Sequence, residues 1–298
     1  MISAYNKIKL KQLKQVYERL KSGRDSLLVM IDEAEVPELV YNSNAIENST
    51  LTLQETERIL LELEVARNVS VRELFEAKNL ARVTEYIRGK QDMKLNKETI
   101  LLLHKMLIGG INDKIAGRFR ASHEYVRVGS HIAPAPEHIE QLLDNLLTDY
   151  ESSHDEYFLD RISRFHLEFE RIHPFVDGNG RIGRVLINMQ LMLHGYTGVI
   201  IRNKGKRDYY YPAFQAYQDN KATEKLDRLL LLSLMESLHK RITYMKGQEV
   251  VTIADYAQQT DESTSVLLNA ARRQTIPAFR EKGVWKIGSE PRVSPATQ

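Results

Sequence analysis

Hydrophobic positions recur every three or four residues along most of the chain, which is the period of an amphipathic helix. In the first such stretch, residues 5–21, Ile8, Leu13 and Leu20 carry this spacing and lysines lie between them. The same period predicts helices over about 97–108, 137–150, 155–172, 208–218 and 223–244, and another after Gly180. Strand-like alternation is sparse, so the sequence predicts a mainly α fold.

Two short motifs predict where further helices begin. Thr52-Leu-Gln-Glu55 and Ser70-Val-Arg-Glu73 each place a hydroxyl residue three positions before a glutamate, which is the capping-box pattern. Each motif predicts a long amphipathic helix directly after it. By contrast, residues 126–136 combine short alternation with glycine and two prolines, and predict a β-hairpin or extended flap.

The pattern changes again after Gly247. Residues 250–288 predict two short helices and a small β element at 283–288, followed by a polar tail with two prolines. We therefore expect three segments: N-terminal helices that belong to the main body (1–90), a core (91–247), and a small module with its tail (248–298).

Composition narrows the class of protein. The chain has 298 residues, 42% hydrophobic, with 42 Lys+Arg against 40 Asp+Glu, which is typical of soluble globular proteins. The absence of cysteine excludes disulfides, zinc ribbons, iron–sulfur clusters and a thiol nucleophile. The first residues lack an apolar leader and the apolar runs are too short for a bilayer, so we expect a cytoplasmic protein without a membrane partner.

One segment concentrates residues suited to phosphate chemistry: His173-Pro-Phe-Val-Asp-Gly-Asn-Gly-Arg-Ile-Gly-Arg184. Its Gly-Asn-Gly turn feeds a helix start, whose unpaired N–H groups and positive dipole end bind anions. Arg181 and Arg184 are three residues apart, so their guanidinium groups lie on one face and can converge on one polyanion.

Two further side chains in this segment point to group transfer. Asp177 is a hard oxygen ligand of the kind that Mg²⁺ accepts when it also holds substrate phosphates. His173 is suited to proton abstraction near neutral pH. Each residue alone has an ordinary structural explanation, but their combination within twelve residues favours a functional site.

Two other pattern matches in the same region are not favoured. Residues 178–183 fit G-x-G-x-x-G, but no strand precedes them, so a dinucleotide-binding fold is not expected. His166, Glu170 and His173 have the spacing of a metal face, yet no His-Glu-x-x-His is present, so a zinc site is not expected either.

The 173–184 segment resembles the signature of Fic-domain proteins, H-x-F-x-[DE]-[GA]-N-[GK]-R-x-x-R, at every fixed position. The resemblance implies a Fic-type helical core that transfers AMP from ATP to a Ser, Thr or Tyr hydroxyl of a target protein. It implies that His173 is the general base, Asp177 the Mg²⁺ ligand and Arg184 the γ-phosphate contact. The implied phosphate cradle comprises Gly178, Asn179, Gly180 and Arg181. Glycine at the position where related Doc-type kinases have lysine favours AMP transfer over phosphorylation.

The resemblance extends outside the signature. The implied flap, which aligns a target segment by main-chain pairing, comprises Val128, Gly129, Ser130 and His131. The implied surroundings of adenine are Tyr210, Tyr211 and Gln218, the last where relatives often have asparagine.

An inhibitory element is implied upstream. Ser43 and Glu47 are four residues apart, on one helix face, and Asn48 follows. Beside the signature, this S-x-x-x-E-N pattern resembles the family's inhibitory helix. A Glu47 carboxylate in a bidentate pair with Arg184 would displace the γ-phosphate and misalign the α-phosphorus for attack. We therefore expect an autoinhibited adenylyltransferase.

The C-terminal module resembles excisionase-like helix-turn-helix or winged-helix domains. Its candidate DNA-phosphate contacts are Arg272, Arg273, Arg280, Lys282 and Lys286. Several alternatives stay open: packing or homo-oligomer assembly by this module, a DNA-binding regulator with a nucleotide-sensing core, transfer of UMP or phosphocholine, self-modification, and removal of AMP.

Overall fold

The structure, a computed structural model, describes residues 1–63, 68–90, 92–129 and 131–289. Its helices are α1 (Ala4–Lys21), α2 (Asp25–Ile46), α3 (Leu53–Leu60), α4 (Val71–Arg88), α5 (Lys97–Ile108), α6 (Ile139–Ser152), α7 (Phe158–Ile172), α8 (Asn179–Leu193), α9 (Tyr211–Asn220), α10 (Glu224–Met245), α11 (Ile253–Thr260) and α12 (Thr264–Arg272). Its strands are β1 (Arg127–Val128), β2 (His131–Ile132), β3 (Glu249–Thr252), β4 (Ala278–Glu281) and β5 (Val284–Ser289). A 3₁₀ turn covers Pro136–His138 and a π-helical turn covers Lys206–Tyr210. Across these described ranges, no helix has the length and apolar content that crossing a membrane requires.

The mainly α fold predicted from the sequence is confirmed, and so is the first capping box. Thr52 Oγ1 accepts from the Glu55 N–H at 3.2 Å, and the Glu55 carboxylate accepts from the Thr52 N–H at 2.8 Å. The prediction of a long helix after this capping box is wrong, because α3 has 8 residues. At the second motif, Ser70 caps α4, while the Glu73 carboxylate binds the Ser70 hydroxyl and Thr50.

Helix α2 is longer than the sequence indicated. The S-x-x-x-E pattern predicted helix only around residues 43–47, whereas α2 starts at Asp25 and contains Pro37. It ends at Ile46, one residue before Glu47, and Asn48 adopts a left-handed φ of 68°. Glu47 therefore lies just beyond the helix rather than within it.

The chain divides into two compact units. One comprises residues 1–2 and 35–230, and the other comprises residues 3–34 and 231–298, so α2 and α10 contribute to both. The three-segment division inferred from the sequence stays a prediction.

The core of the first unit surrounds the connection between α7 and α8. Buried apolar side chains of α4, α5, α6, α7 and α8 form one cluster that includes Phe169 and Phe175. Phe175, in the loop after α7, is fully buried and stacks on His104 of α5, with ring centroids 3.6 Å apart and planes 6° apart. Phe175 therefore anchors the loop after α7 in the core.

The second unit contains a three-stranded antiparallel sheet in the order β3–β5–β4, which packs on α11 and α12. The sequence predicted the region of β5 but not β3 or β4. Its core includes Ile253, Leu267 and Ile287. The winged-helix assignment stays a prediction, and the polar tail from residue 290 lies outside the described residues.

Phe175→Ala tests the anchor. Removing a fully buried phenylalanine lowers the free energy of unfolding by about 3–5 kcal/mol, because a transfer term and a cavity term add. We expect the neighbouring Val176→Ala, at a side chain that is 37% exposed, to lower it by less than about 1 kcal/mol. Urea denaturation measures both, and equal losses would contradict the assigned role.

Candidate active site

Arg120 fixes the backbone where α7 ends. His173 adopts a left-handed φ of 50° there, which turns the chain out of the helix. Arg120 Nε donates to the His173 carbonyl at 2.8 Å, Nη2 donates to the Pro134 carbonyl at 2.9 Å, and the Arg120 N–H donates to the Pro174 carbonyl at 2.9 Å. A buried cation at the negative end of α7 thus holds His173 in place.

Two side chains close the loop between His173 and α8. His104 accepts from the Gly117 N–H at Nδ1 and binds the Asp177 carbonyl through Nε2, both at 3.0 Å. Asn179 accepts from the Phe175 N–H at 2.9 Å and donates to the Phe175 carbonyl at 2.8 Å. The Asn179 side chain is therefore committed to the loop, which leaves its backbone for the predicted phosphate cradle.

His173 is placed to accept a proton. Its Nδ1 lies 3.3 Å from the Glu170 carbonyl, so a proton on Nδ1 leaves the Nε2 lone pair available. Burial lowers the pKa of His173 to about 4, and the positive charge of Arg120 acts in the same direction. The imidazole is therefore neutral at pH 7, which is the form a general base requires.

Glu170 is a second titratable group beside His173, with its Oε2 3.8 Å from Nδ1. Burial raises the pKa of Glu170 to about 8, and the negative charge of Glu47 raises it further. Glu170 is thus mostly protonated at neutral pH and is a poor metal ligand. In the described ranges, no group of three or more His, Asp or Glu side chains could hold a metal ion.

Arg184, on the first turns of α8, is bound by residues at the end of α2. Its Nε donates to Ser43 Oγ at 2.9 Å, and its Nη2 donates to the Ser43 carbonyl at 2.9 Å and to Glu47 Oε1 at 2.8 Å. The bidentate pair expected from the sequence is wrong, because Ser43 takes part of the guanidinium and Glu47 contributes one oxygen.

The Glu47 carboxylate lies where the sequence predicted phosphate. A Cβ at Gly180 would be 2.2 Å from Glu47 Oε1, so the carboxylate lies directly against the first turn of α8. Gly178 precedes this turn with a φ of 86°. Glycine at position 180 is therefore required for an anion to approach the helix N-terminus, where the dipole is positive.

Tyr210 also contacts Arg184. Its hydroxyl lies 2.8 Å from His166 Nε2 and 3.5 Å from Arg184 Nη1, and its side chain is buried. Burial lowers the pKa of His166 to about 3, helped by the charge of Arg184, so this histidine is neutral. Tyr211 and Gln218, both on α9, are exposed. Among the described residues, Gln218 makes no hydrogen bond to the 173–184 segment.

Asp177 is held by two arginines. Its Oδ1 accepts from Arg181 Nη2 at 3.0 Å, and its Oδ2 accepts from Arg72 Nη2 at 2.5 Å. Glu76 Oε1 lies 3.0 Å from Arg72 Nε and 3.2 Å from Arg181 Nη1. Burial would raise the pKa of Asp177, but Arg181 and Arg72 lower it below its usual value. An ionised oxygen ligand beside the anion turn fits a Mg²⁺ held mainly by phosphates, and Arg72 is exposed enough to move aside.

The predicted hairpin is present as β1 and β2, with Val128 paired to His131. Gly129, in the turn, has a φ of 59°, and Ser130 lies outside the described residues. His131 Nε2 lies 2.9 Å from the Arg171 carbonyl, so the hairpin is anchored to the end of α7 that carries His173.

Comparison with known proteins identifies the core. Residues 94–191 match the sequence profile of the Fic/DOC family. Residues 94–191 form a Fic domain. A protein adenylyltransferase Fic of Nematostella vectensis is 32% identical over 219 residues, which cover 68% of this chain and 50% of that protein. The chain spans half of the length of that protein, and 36% and 34% of the length of the proteins of the same name from Drosophila grimshawi and Drosophila persimilis.

Solved structures share the fold of this Fic-domain chain. A Fic-domain signaling protein of Bacteroides thetaiotaomicron is 24% identical with a TM-score of 0.71, covering 80% of this chain and 97% of its own. A Fic family protein of Desulfovibrio desulfuricans is 20% identical with a TM-score of 0.67, covering 97% of both chains.

Outside the Fic domain, two of the predicted DNA contacts are paired within the second unit. Arg280 binds Glu236 at 2.5 Å and lies 4.5 Å from the centre of the Trp285 ring. Lys286 binds Glu281 at 2.8 Å. The remaining predicted contacts, Arg272, Arg273 and Lys282, are exposed. DNA binding stays a prediction.

A titration of His173 tests the assignment of its neutral form. We expect a midpoint near pH 4 for its ring, because burial disfavours the charged form. The unfolded chain binds this proton first, near pH 6.5. The folded state should therefore lose stability as the pH falls from about 6.5 toward 4. Histidine NMR with His173→Asn as the assignment control measures the midpoint, and a value near 6.5 would refute the burial argument.

Proposed function

We propose that this chain is an autoinhibited protein adenylyltransferase that transfers AMP from MgATP to a Ser, Thr or Tyr hydroxyl of a target protein. The position of the Glu47 carboxylate carries the proposal. This anion lies against Gly180 and 2.8 Å from Arg184. Both of these residues are on α8, which follows the loop that begins at the neutral His173. The relatives named protein adenylyltransferase support the choice of AMP over other groups.

The chemistry follows from the two ends of this loop. As the acceptor hydroxyl approaches the α-phosphorus, His173 Nε2 takes its proton. The hydroxyl oxygen forms a bond to the α-phosphorus while the bond from that phosphorus to the pyrophosphate oxygen breaks. AMP is then esterified to the target, and pyrophosphate leaves with the electron pair.

Phosphate binding is assigned to the start of α8. Its backbone N–H groups, with Arg181 and Arg184, would stabilise the charge of the phosphates. Asp177 would hold Mg²⁺, which when bound neutralises charge on the phosphates. Arg72 would then leave Asp177, and the bond from Arg72 Nε to Glu76 can hold the Arg72 side chain on α4.

Inhibition follows from competition for Arg184. While Glu47 binds Arg184, a γ-phosphate cannot take that contact, and the α-phosphorus lacks the alignment that in-line attack requires. The Glu47 side chain is 43% exposed and makes one bond to the arginine, so the block is reversible.

Glu47→Gly should raise AMP transfer at least about tenfold, because a charge-assisted bond that is worth about 1.5–3 kcal/mol no longer excludes the γ-phosphate. Incorporation of label from α-³²P-ATP into a host lysate measures the rate. Glu33→Gln, at an exposed glutamate of α2, is the matched control and should label like the wild type.

The Glu47→Gly variant also distinguishes AMP transfer from the transfer of UMP or phosphocholine. Glu47→Gly incubated with ATP, UTP or CDP-choline, followed by mass measurement of the product, should give an increment of AMP only. Equal labelling by Glu47→Gly and the wild type would contradict autoinhibition, and an increment of UMP or phosphocholine would contradict the assigned substrate.

His173→Ala in the Glu47→Gly background should lower labelling by about 10²–10⁴-fold, the usual contribution of a general base. Calorimetry should find its ATP affinity nearly unchanged, because His173 acts on the acceptor hydroxyl. Undiminished labelling would refute the general-base assignment.

A further inference from the structure

The end of α2 carries carbonyl groups that no later turn of helix can bind. The Ser43 carbonyl accepts from Arg184, and the Asn44 carbonyl accepts from the Ser49 N–H at 3.0 Å. The Asn48 N–H reaches the Ala45 carbonyl at 3.2 Å, while the Ile46 carbonyl needs donors from elsewhere. These four carbonyls directly precede Glu47, so whatever binds them fixes the backbone from which Glu47 extends.

Lys206 and Tyr211 supply the missing donors. Lys206 Nζ donates to the Ala45 and Ile46 carbonyls, both at 2.9 Å, and to Asn48 Oδ1 at 3.2 Å. The Tyr211 hydroxyl donates to the same Ile46 carbonyl at 2.8 Å. One ammonium group thus uses its three protons on the residues on either side of Glu47, at the negative end of the α2 dipole.

The contact of Glu47 with Arg184 cannot by itself define where the carboxylate lies. It is a single bond from a side chain that is 43% exposed, and such pairs gain little over water unless both partners are already held in place. Arg184 is held by Ser43 and Tyr210. The backbone that carries Glu47 is restrained by the bonds to Ala45, Ile46 and Asn48.

We propose that Lys206 and Tyr211 are positioning residues that hold the inhibitory carboxylate of Glu47 against Arg184 and Gly180. This inference rests on the proposed function for its effect on AMP transfer, but not for its effect on the structure of the α2 end. Both residues belong to the segment 205–211, which also carries Tyr210 on Arg184. The segment therefore fixes both partners of the inhibitory pair.

The rest of the neighbourhood does not depend on Lys206. Glu73 of α4 binds the Thr50 N–H and hydroxyl, both at 2.8 Å, and so retains the chain after Asn48. Removing Lys206 should thus loosen a short stretch around Glu47 without detaching the chain that follows it.

Hydrogen exchange of the full chain tests the positioning role without reference to activity. In Lys206→Met, amide exchange of residues 46–49 should be at least about tenfold faster than in the wild type, because charge-assisted bonds are lost. Lys206→Arg, which keeps the charge and the donors, should restore slow exchange. Lys204→Met, at an exposed lysine of the same loop, is the matched control and should exchange like the wild type.

Labelling from α-³²P-ATP provides the second readout. Lys206→Met should label more strongly than the wild type, Tyr211→Phe should shift in the same direction, and neither change should add to Glu47→Gly, because all act through Glu47. Wild-type exchange in both Lys206→Met and Tyr211→Phe, or gains that add to Glu47→Gly, would overturn the proposal. Faster exchange with no labelling by any variant, Glu47→Gly included, would support the positioning role and overturn the proposed function alone.

Discussion

The site depends on what the buried guanidinium of Arg184 binds. A buried charge without partners is strongly destabilising, so folding requires acceptors for it in the absence of nucleotide. Ser43 supplies two neutral acceptors and Glu47 supplies the negative charge. The carboxylate that helps to satisfy Arg184 also lies where the proposed γ-phosphate would bind, so folding and the proposed inhibition use the same contact.

The remainder of the first unit holds the two ends of the loop from His173 to Gly178. Phe175, stacked on His104 in the core, prevents the loop from moving away, and Asn179 closes it from within. Arg120 fixes the His173 end through backbone carbonyls. These contacts place a neutral imidazole and the N-terminus of α8 on one loop, so the proposed transfer would require the entry of substrates and the departure of Glu47 but no refolding.

Features encoded by short spacings could be predicted from the sequence. The Gly-Asn-Gly turn, the start of α8 and the Thr52 capping box each need only a few adjacent residues. Contacts between distant residues could not be predicted: Arg120 and His104 bind main-chain carbonyls more than fifty positions away, and a carbonyl has no sequence signature. The sequence analysis did not predict the length of α2, which continues through Pro37, a residue type that normally ends a helix. The sequence could not predict that Tyr210 is buried, because its contact with His166 joins residues that are 44 positions apart.

Nucleotide affinity tests most directly whether Glu47 and the γ-phosphate compete for Arg184. Calorimetry in the His173→Ala background, with and without Glu47→Gln, compares ATP with ADP, which lacks the γ-phosphate. We expect loss of the Glu47 charge to tighten ATP binding at least about tenfold, while ADP binding changes less than about twofold. Equal changes for both nucleotides, or none for ATP, would contradict it.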